Sequence, residues 1–155
     1  MRILLVMLSF VMAVAVGVEA QAPAPASKPK PARTPITVYK TPTCGCCLRW
    51  VDHVRARGFA ANVIEVGDLA GVRAKLGVPD SLEACHTAVV RGYAIEGHVP
   101  ADVIRKLLKE KPAGVVGIAV PGMPAGSPGM EGPYKDKYNV VAFGKDGSQT
   151  VYAER

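Results

Sequence analysis

The sequence predicts an α/β domain with a mixed sheet flanked by helices. Two observations carry that expectation: β-rich runs alternate with stretches of helical period from Ile36 onward, and their order reads β-α-β-α-β-β-α before a loop and a β-hairpin. Residues 36–40, ITVYK, form the first strand, which ends where Thr41-Pro42-Thr43 turns the chain. Cys47, Trp50, Val51 and Val54 then fall at i, i+3, i+4 and i+7, one face of a helix that closes at Gly58. NVIEV, residues 62–66, reads as the second strand. Asp68 N-caps a short helix with Leu69, Val72 and Leu76 inward and Gly77 as its stop. TAVVRGYAIEG, residues 87–97, gives two strands folded at Arg91-Gly92. Pro100 opens a helix carrying Val103, Ile104, Leu107 and Leu108. A Met/Pro/Gly loop over about 120–133 leads to YNVVAF and QTVY around Lys145-Asp146-Gly147, a hairpin signal.

Ahead of this domain, Met1-Arg2, an apolar run over 3–18 and the small-x-small triplet Val18-Glu19-Ala20 read as a cleavable signal peptide, residues 1–20. The run is shorter than the ~20 residues a spanning helix needs, and no basic stop-transfer cluster follows, so no stable membrane span is expected after cleavage. The expected location is periplasmic or otherwise exported, where unprotected thiols oxidise. Residues 21–35, rich in Pro and Ala, form a semi-extended linker, and the folded domain takes residues 36–155. Loss of residues 1–20 removes one base (Arg2) and one acid (Glu19), so the mature chain keeps the net charge of +6. Lys28, Lys30 and Arg33 carry half of it, leaving a mildly basic folded part. Without a basic stripe studded with aromatics, nucleic acid is not an expected partner.

Three of the four cysteines crowd into CGCC, residues 44–47. The pattern places Cys44 at a strand end and Cys46-Cys47 in the first turn of a helix, where unpaired N–H groups and the helix dipole favour thiolate. Cys44 and Cys47 have C-x-x-C spacing, and Cys46 is a surplus sulfur. A dithiol redox site needs two sulfurs, and a third invites scrambling; a soft metal gains from each additional thiolate. The fourth, Cys85, lies in EACHTAVV, just before the third strand. If that strand pairs with the first, Cys85-His86 faces the start of the cysteine helix and four sulfurs and an imidazole converge. The alternatives are a small buried Cys85 or a structural disulfide.

The stretches YKTPTCGCCLRWVDHVRARGF, ACHTAVVRGYAIEGHVPADVI and AVPGMPAGSPGME, in that order, resemble the periplasmic copper-resistance proteins of the CopG type over residues 36 to about 131. The resemblance implies a thioredoxin-like fold, copper bound through Cys44, Cys46, Cys47 and Cys85, and a part in copper handling or copper redox chemistry outside the cytoplasm. Enzymes of the wider thioredoxin fold set a metal-excluding cis-proline opposite the C-x-x-C pair. Here that loop holds Cys85-His86-Thr87 and Pro79 comes too early, which favours metal over general thiol–disulfide exchange.

Among metals, zinc wants four ligands around one ion, whereas Cys46 and Cys47 are expected to point apart. Cu(I) accepts low coordination and shared thiolates, so more than one Cu(I) per chain is expected. An iron–sulfur cluster is the lesser alternative. Pro-Gly-Met recurs at 121–123 and 128–130, making Met123 and Met130 candidate soft ligands, or else loop methionines packed on the core. His86 is an auxiliary candidate, joined to Cys85. His98 approaches the same end of the sheet or lies on the surface. His53, roughly 10 Å down the helix from Cys46, is expected to be solvated, and Trp50 to be core. The sequence thus reads as an exported copper-binding protein for copper resistance, with copper ions as partners alongside other periplasmic copper-handling proteins or an electron donor. No catalytic residue is assigned. A thiol–disulfide oxidoreductase working through Cys44 and Cys47, and a non-catalytic copper carrier or store, are the rivals.

Overall fold

The strand β1 (Thr34–Lys40) lies at the centre of the cysteine-bearing half of the molecule, parallel to β2 (Phe59–Glu65) and antiparallel to β3 (His86–Val90). A computed structural model describes residues 32–155; the expected signal peptide and residues 21–31 of the linker lie outside the described residues. β3 turns back into β4 (Tyr93–Gly97), which runs parallel to β5 (Val115–Val120); β6 (Asn139–Gly144) and β7 (Gln149–Glu154) close the sheet as an antiparallel hairpin. The result is one mixed sheet of seven strands in the order β2-β1-β3-β4-β5-β6-β7.

Three helices connect these strands: α1 (Gly45–Ala56), α2 (Ala70–Leu76) and α3 (Ala101–Glu110). Alternation along the strands divides the apolar residues between two faces. Ile95, Ile118 and Ala142 join Trp50, Val51 and Val54 of α1 and Val103, Ile104 and Leu107 of α3 in the larger core. Their neighbours Ala94, Ala119 and Phe143 face the other way and pack with Val78, Leu82 and, at its margin, Leu76 of α2. The face predicted for α1 is buried in full, and the indole N–H of Trp50 donates to the Val99 carbonyl at 2.8 Å. Among the described residues no helix is long and apolar enough to cross a membrane.

The elements expected from the sequence are present, with β1 and β2 each starting a few residues earlier. Pro35 is tolerated in β1 because β3 pairs only from Thr37 onward. The β3–β4 turn has positive φ at both Arg91 (46°) and Gly92 (86°), the tight form that matches strand twist. Asp68 stands one residue ahead of the N-cap, Leu69, rather than at it, with its side chain accepting the Ala70 N–H at 2.9 Å, and Gly77 ends the helix in the left-handed region. Strand β5 is an addition: the sequence reading left residues 115–119 unassigned.

Candidate metal centre

The pairing of β1 with β3 sets Lys40 opposite His86, so the end of one strand meets the beginning of the other. The chain leaves Lys40 through the Thr41–Thr43 turn and enters α1 with Cys44 as its N-cap. Cys46 and Cys47 occupy the first turn of α1, and Cys85 stands immediately before β3. The four ligand sulfurs of Cys44, Cys46, Cys47 and Cys85 all lie within 4.8 Å of one another.

Within that group Cys44 and Cys47 are joined in a disulfide, with their Cα atoms 5.4 Å apart. Cys46 and Cys85 are free and half-buried. The Cys46 sulfur is 3.5 Å from that of Cys44 and donates to that of Cys85 at 3.7 Å, so it touches both the disulfide and the remaining thiol. Burial first, then the hydrogen bond its thiol shares with Cys46, pushes the Cys85 thiol up to about 12. Cys85 is therefore a protonated thiol near neutral pH, and a metal taking it as thiolate must displace that proton.

Two buried cations brace the segments that carry the sulfurs. Lys40, fully buried, donates to the Glu65 carboxylate at 3.0 Å and to the Pro42 carbonyl at 3.3 Å, tying down the turn ahead of Cys44. On the α2 face, Glu96 accepts from Arg73 Nε at 3.0 Å, the Thr87 hydroxyl at 2.6 Å and the Ala84 N–H at 2.8 Å. Arg73 in turn donates to the Ala84 carbonyl and to Glu83. Burial raises the Glu96 carboxyl, and these donors pull it back toward ionisation. Sequence reasoning missed all of these groups.

A third support is the loop after β5. Ser127, Pro128 and Gly129 are buried against the start of α1, where Arg49 Nε donates to the Gly129 carbonyl at 2.8 Å. Gly129 has φ +89°, and a Cβ there would lie 2.7 Å from the Cys46 carbonyl and 2.9 Å from the Trp50 N–H nitrogen. Its own N–H donates to the Glu131 carboxylate at 2.9 Å, which lowers that acid's pKa. Met130 is half-buried beside it, whereas Met123 is exposed.

Of the three histidines, His53 departs from the sequence expectation. His53 is half-buried rather than solvated: its Nε2 accepts the Ala101 N–H at 3.1 Å and caps α3. His98 is fully buried, and its Nδ1 donates to the Pro128 carbonyl at 2.8 Å. A carbonyl only accepts, so Nδ1 carries the proton and Nε2 presents a lone pair. His86 is also fully buried, with its ring 4.3 Å from that of Trp50 and 5.2 Å from that of His98. The His86 imidazole packs against Trp50, and the group of donor atoms within 4.8 Å of one another comprises the four sulfurs without it. Among the described residues, neither ring nitrogen of His86 nor Nε2 of His98 has a hydrogen-bond partner. Burial, with His98 next, holds His86 well below its ordinary pKa.

An all-sulfur donor set suits a soft ion and offers nothing to a hard one. Its spacing does not separate copper from zinc. A tetrahedral zinc–thiolate site has sulfur–sulfur edges of about 3.8 Å, close to the 3.5 and 3.7 Å separations around Cys46. The expectation that Cys46 and Cys47 diverge too far to share one ion is thus corrected, because Cys85 and the turn before α1 fold all four sulfurs inward.

Two solved structures match this chain over almost their whole length. "Copper resistance protein copG- Form 2" is 46% identical with a TM-score of 0.75, and the match covers 79% of this chain and 98% of that one. "Copper resistance protein copG- Form 1" is 45% identical with the same TM-score and coverage. The chain belongs to the CopG-type copper-resistance family. Residues 82–130 also match the family model described as "Protein of unknown function, DUF411". That segment of the CopG-type chain holds Cys85, His86, His98, Met123 and Met130, while the CGCC turn lies upstream of it. No curated protein sequence matches the chain.

Proposed function

We propose that this is an exported copper-handling protein that takes up Cu(I), more than one ion per chain, on Cys44, Cys46, Cys47 and Cys85. The observation that carries the reading is the gathering of all four sulfurs within 4.8 Å at the meeting point of β1, α1 and β3. Membership of the copper-resistance family supports copper as the ion. Thiolates can bridge, so four sulfurs on one turn and one strand start suit several ions of low coordination number. Copper here is cargo. Opening the full site requires reduction of the Cys44–Cys47 disulfide, which consumes two electrons and two protons from a donor outside the chain. That requirement supports a partner able to reduce disulfides, alongside other periplasmic copper-handling proteins.

A second reading rests on the disulfide itself: Cys44 and Cys47 form the C-x-x-C pair of a thiol–disulfide oxidoreductase. Copper content and copper K-edge absorption of protein purified from the periplasm distinguish the two. Sulfur-coordinated copper with a short copper–copper distance supports the cluster, with Cys46→Ser lowering capacity. Protein that stays copper-free after reduction, yet reduces insulin through Cys44 and Cys47 alone, supports the oxidoreductase. Zinc filling the reduced site in place of copper overturns the choice of ion. N-terminal sequencing of the exported chain tests cleavage after Ala20.

A further inference from the structure

The chain has four cysteines, and the structure leaves two of them, Cys46 and Cys85, as free thiols in sulfur–sulfur contact at 3.7 Å. Cys46 cannot readily bond its neighbour Cys47, which is already paired with Cys44. Cys85 is thus the remaining partner for Cys46 in this chain. A disulfide needs a sulfur separation of ~2.0 Å, so the gap to close is about 1.7 Å. The two side chains that would close it are half-buried rather than locked in the core.

We infer that Cys46 and Cys85 form a second disulfide, which makes the four cysteines a two-disulfide, four-electron redox centre. The oxidant is a low-molecular-weight disulfide such as glutathione disulfide. One thiolate attacks it, forming a mixed disulfide and releasing one glutathione. The other thiolate attacks the protein sulfur, breaking the mixed disulfide and releasing the second glutathione. Two protein thiols and one glutathione disulfide thereby become one protein disulfide and two glutathiones, with no electrons left over. The three oxidation states then hold four, two and no thiols.

The consequence for metal rests on the proposed copper reading: with both disulfides formed, no thiolate remains, and copper uptake follows two successive two-electron reductions. The disulfide itself is independent of that reading and is tested without copper. Full-length mature protein, reduced and held in chelator, is equilibrated across glutathione/glutathione disulfide ratios, quenched in acid, alkylated and weighed intact. Free thiols should fall from four to two to none, and trypsin should yield residues 41–49 linked to residues 76–91. Retention of two alkylated thiols at Cys46 and Cys85 in excess glutathione disulfide overturns the inference, as does a separate glutathione on each. A chain with Cys44→Ser and Cys47→Ser, which keeps only the proposed pair, should lose both thiols under the same conditions. If that variant does not fold, the wild-type thiol count still decides the matter.

Discussion

Arg73 and Glu96 form a buried ion pair at 2.9 Å, and together they hold both backbone groups of Ala84, the residue immediately before Cys85. The Glu96 side chain is fully buried and that of Arg73 is 12% exposed. Their link is therefore shielded from the solvent screening that makes surface pairs weak. Through Ala84 the pair fixes where the backbone delivers the Cys85 sulfur.

Removing Glu96 leaves Arg73 with only the more exposed Glu83 and strips the Ala84 N–H and the Thr87 hydroxyl of their acceptor, which together cost about 3 kcal/mol. Glu96→Ala should lose that much stability in urea unfolding. Arg73→Met combined with Glu96→Leu should recover part of it, because an apolar pair removes both charges at once. A Glu96→Ala variant within about 1 kcal/mol of wild type would show that the pair does not hold this segment.

Gly129 is the point where the loop after β5 touches α1. Alanine there meets both a left-handed φ and the backbone of Cys46 and Trp50. The two costs together should exceed about 2 kcal/mol, and displacement of the loop should strip the Arg49 and His98 bonds with it. Hydrogen exchange of the first turn of α1 should rise in Gly129→Ala; unchanged protection would mean the loop is not what braces that turn.

The two Pro-Gly-Met repeats differ in their settings. Met123 is 54% exposed, whereas Met130 follows the glycine packed against the cysteine helix. If a thioether completes the proposed copper site, it is that of Met130. Met130→Leu should weaken Cu(I) binding by about tenfold, the lower range for losing a supporting group around a metal, and Met123→Leu should leave it unchanged. Competition with a chromophoric Cu(I) chelator measures both; equal effects would remove the distinction.

Most of the fold was legible because each element buries one face. The spacing of Cys47, Trp50, Val51 and Val54 needs no tertiary information to read as a helix. Strand β5 was missed because VVGIAV, between β4 and β6, shows no alternation, and its central Gly117 reads as a breaker. In the fold, a side chain at Gly117 would strike Ala94 and Phe143 of the two flanking strands. The four sulfurs were legible for a different reason: three are contiguous, and only the β1–β3 pairing had to be supplied. Lys40, Arg73 and Glu96 were not, since a buried charge reveals itself only with its partner, and these partners lie 23 or more residues away. The same holds for His53 and His98, whose bonding partners are 48 and 30 residues distant.

All three histidines of the chain have lowered pKa values, with burial the first cause in each. His53 falls from 6.5 to about 4, with Arg57 and Arg105 adding to burial while Glu131 and Asp102 oppose it. Its Nε2 must stay unprotonated to accept the Ala101 N–H that opens α3. Between the two pKa values the unfolded chain binds the proton and the folded chain does not, so stability rises with pH in that window. The contribution is complete above about pH 6.5, and is lost as pH falls through the native value near 4. Thermal melts of metal-free protein should therefore show a falling Tm from pH 7 to pH 4.5. His53→Gln, which keeps an acceptor but cannot be protonated, should flatten part of that fall, leaving the share owed to His86 and His98. An identical slope in the variant would mean that the capping contact does not exist in solution.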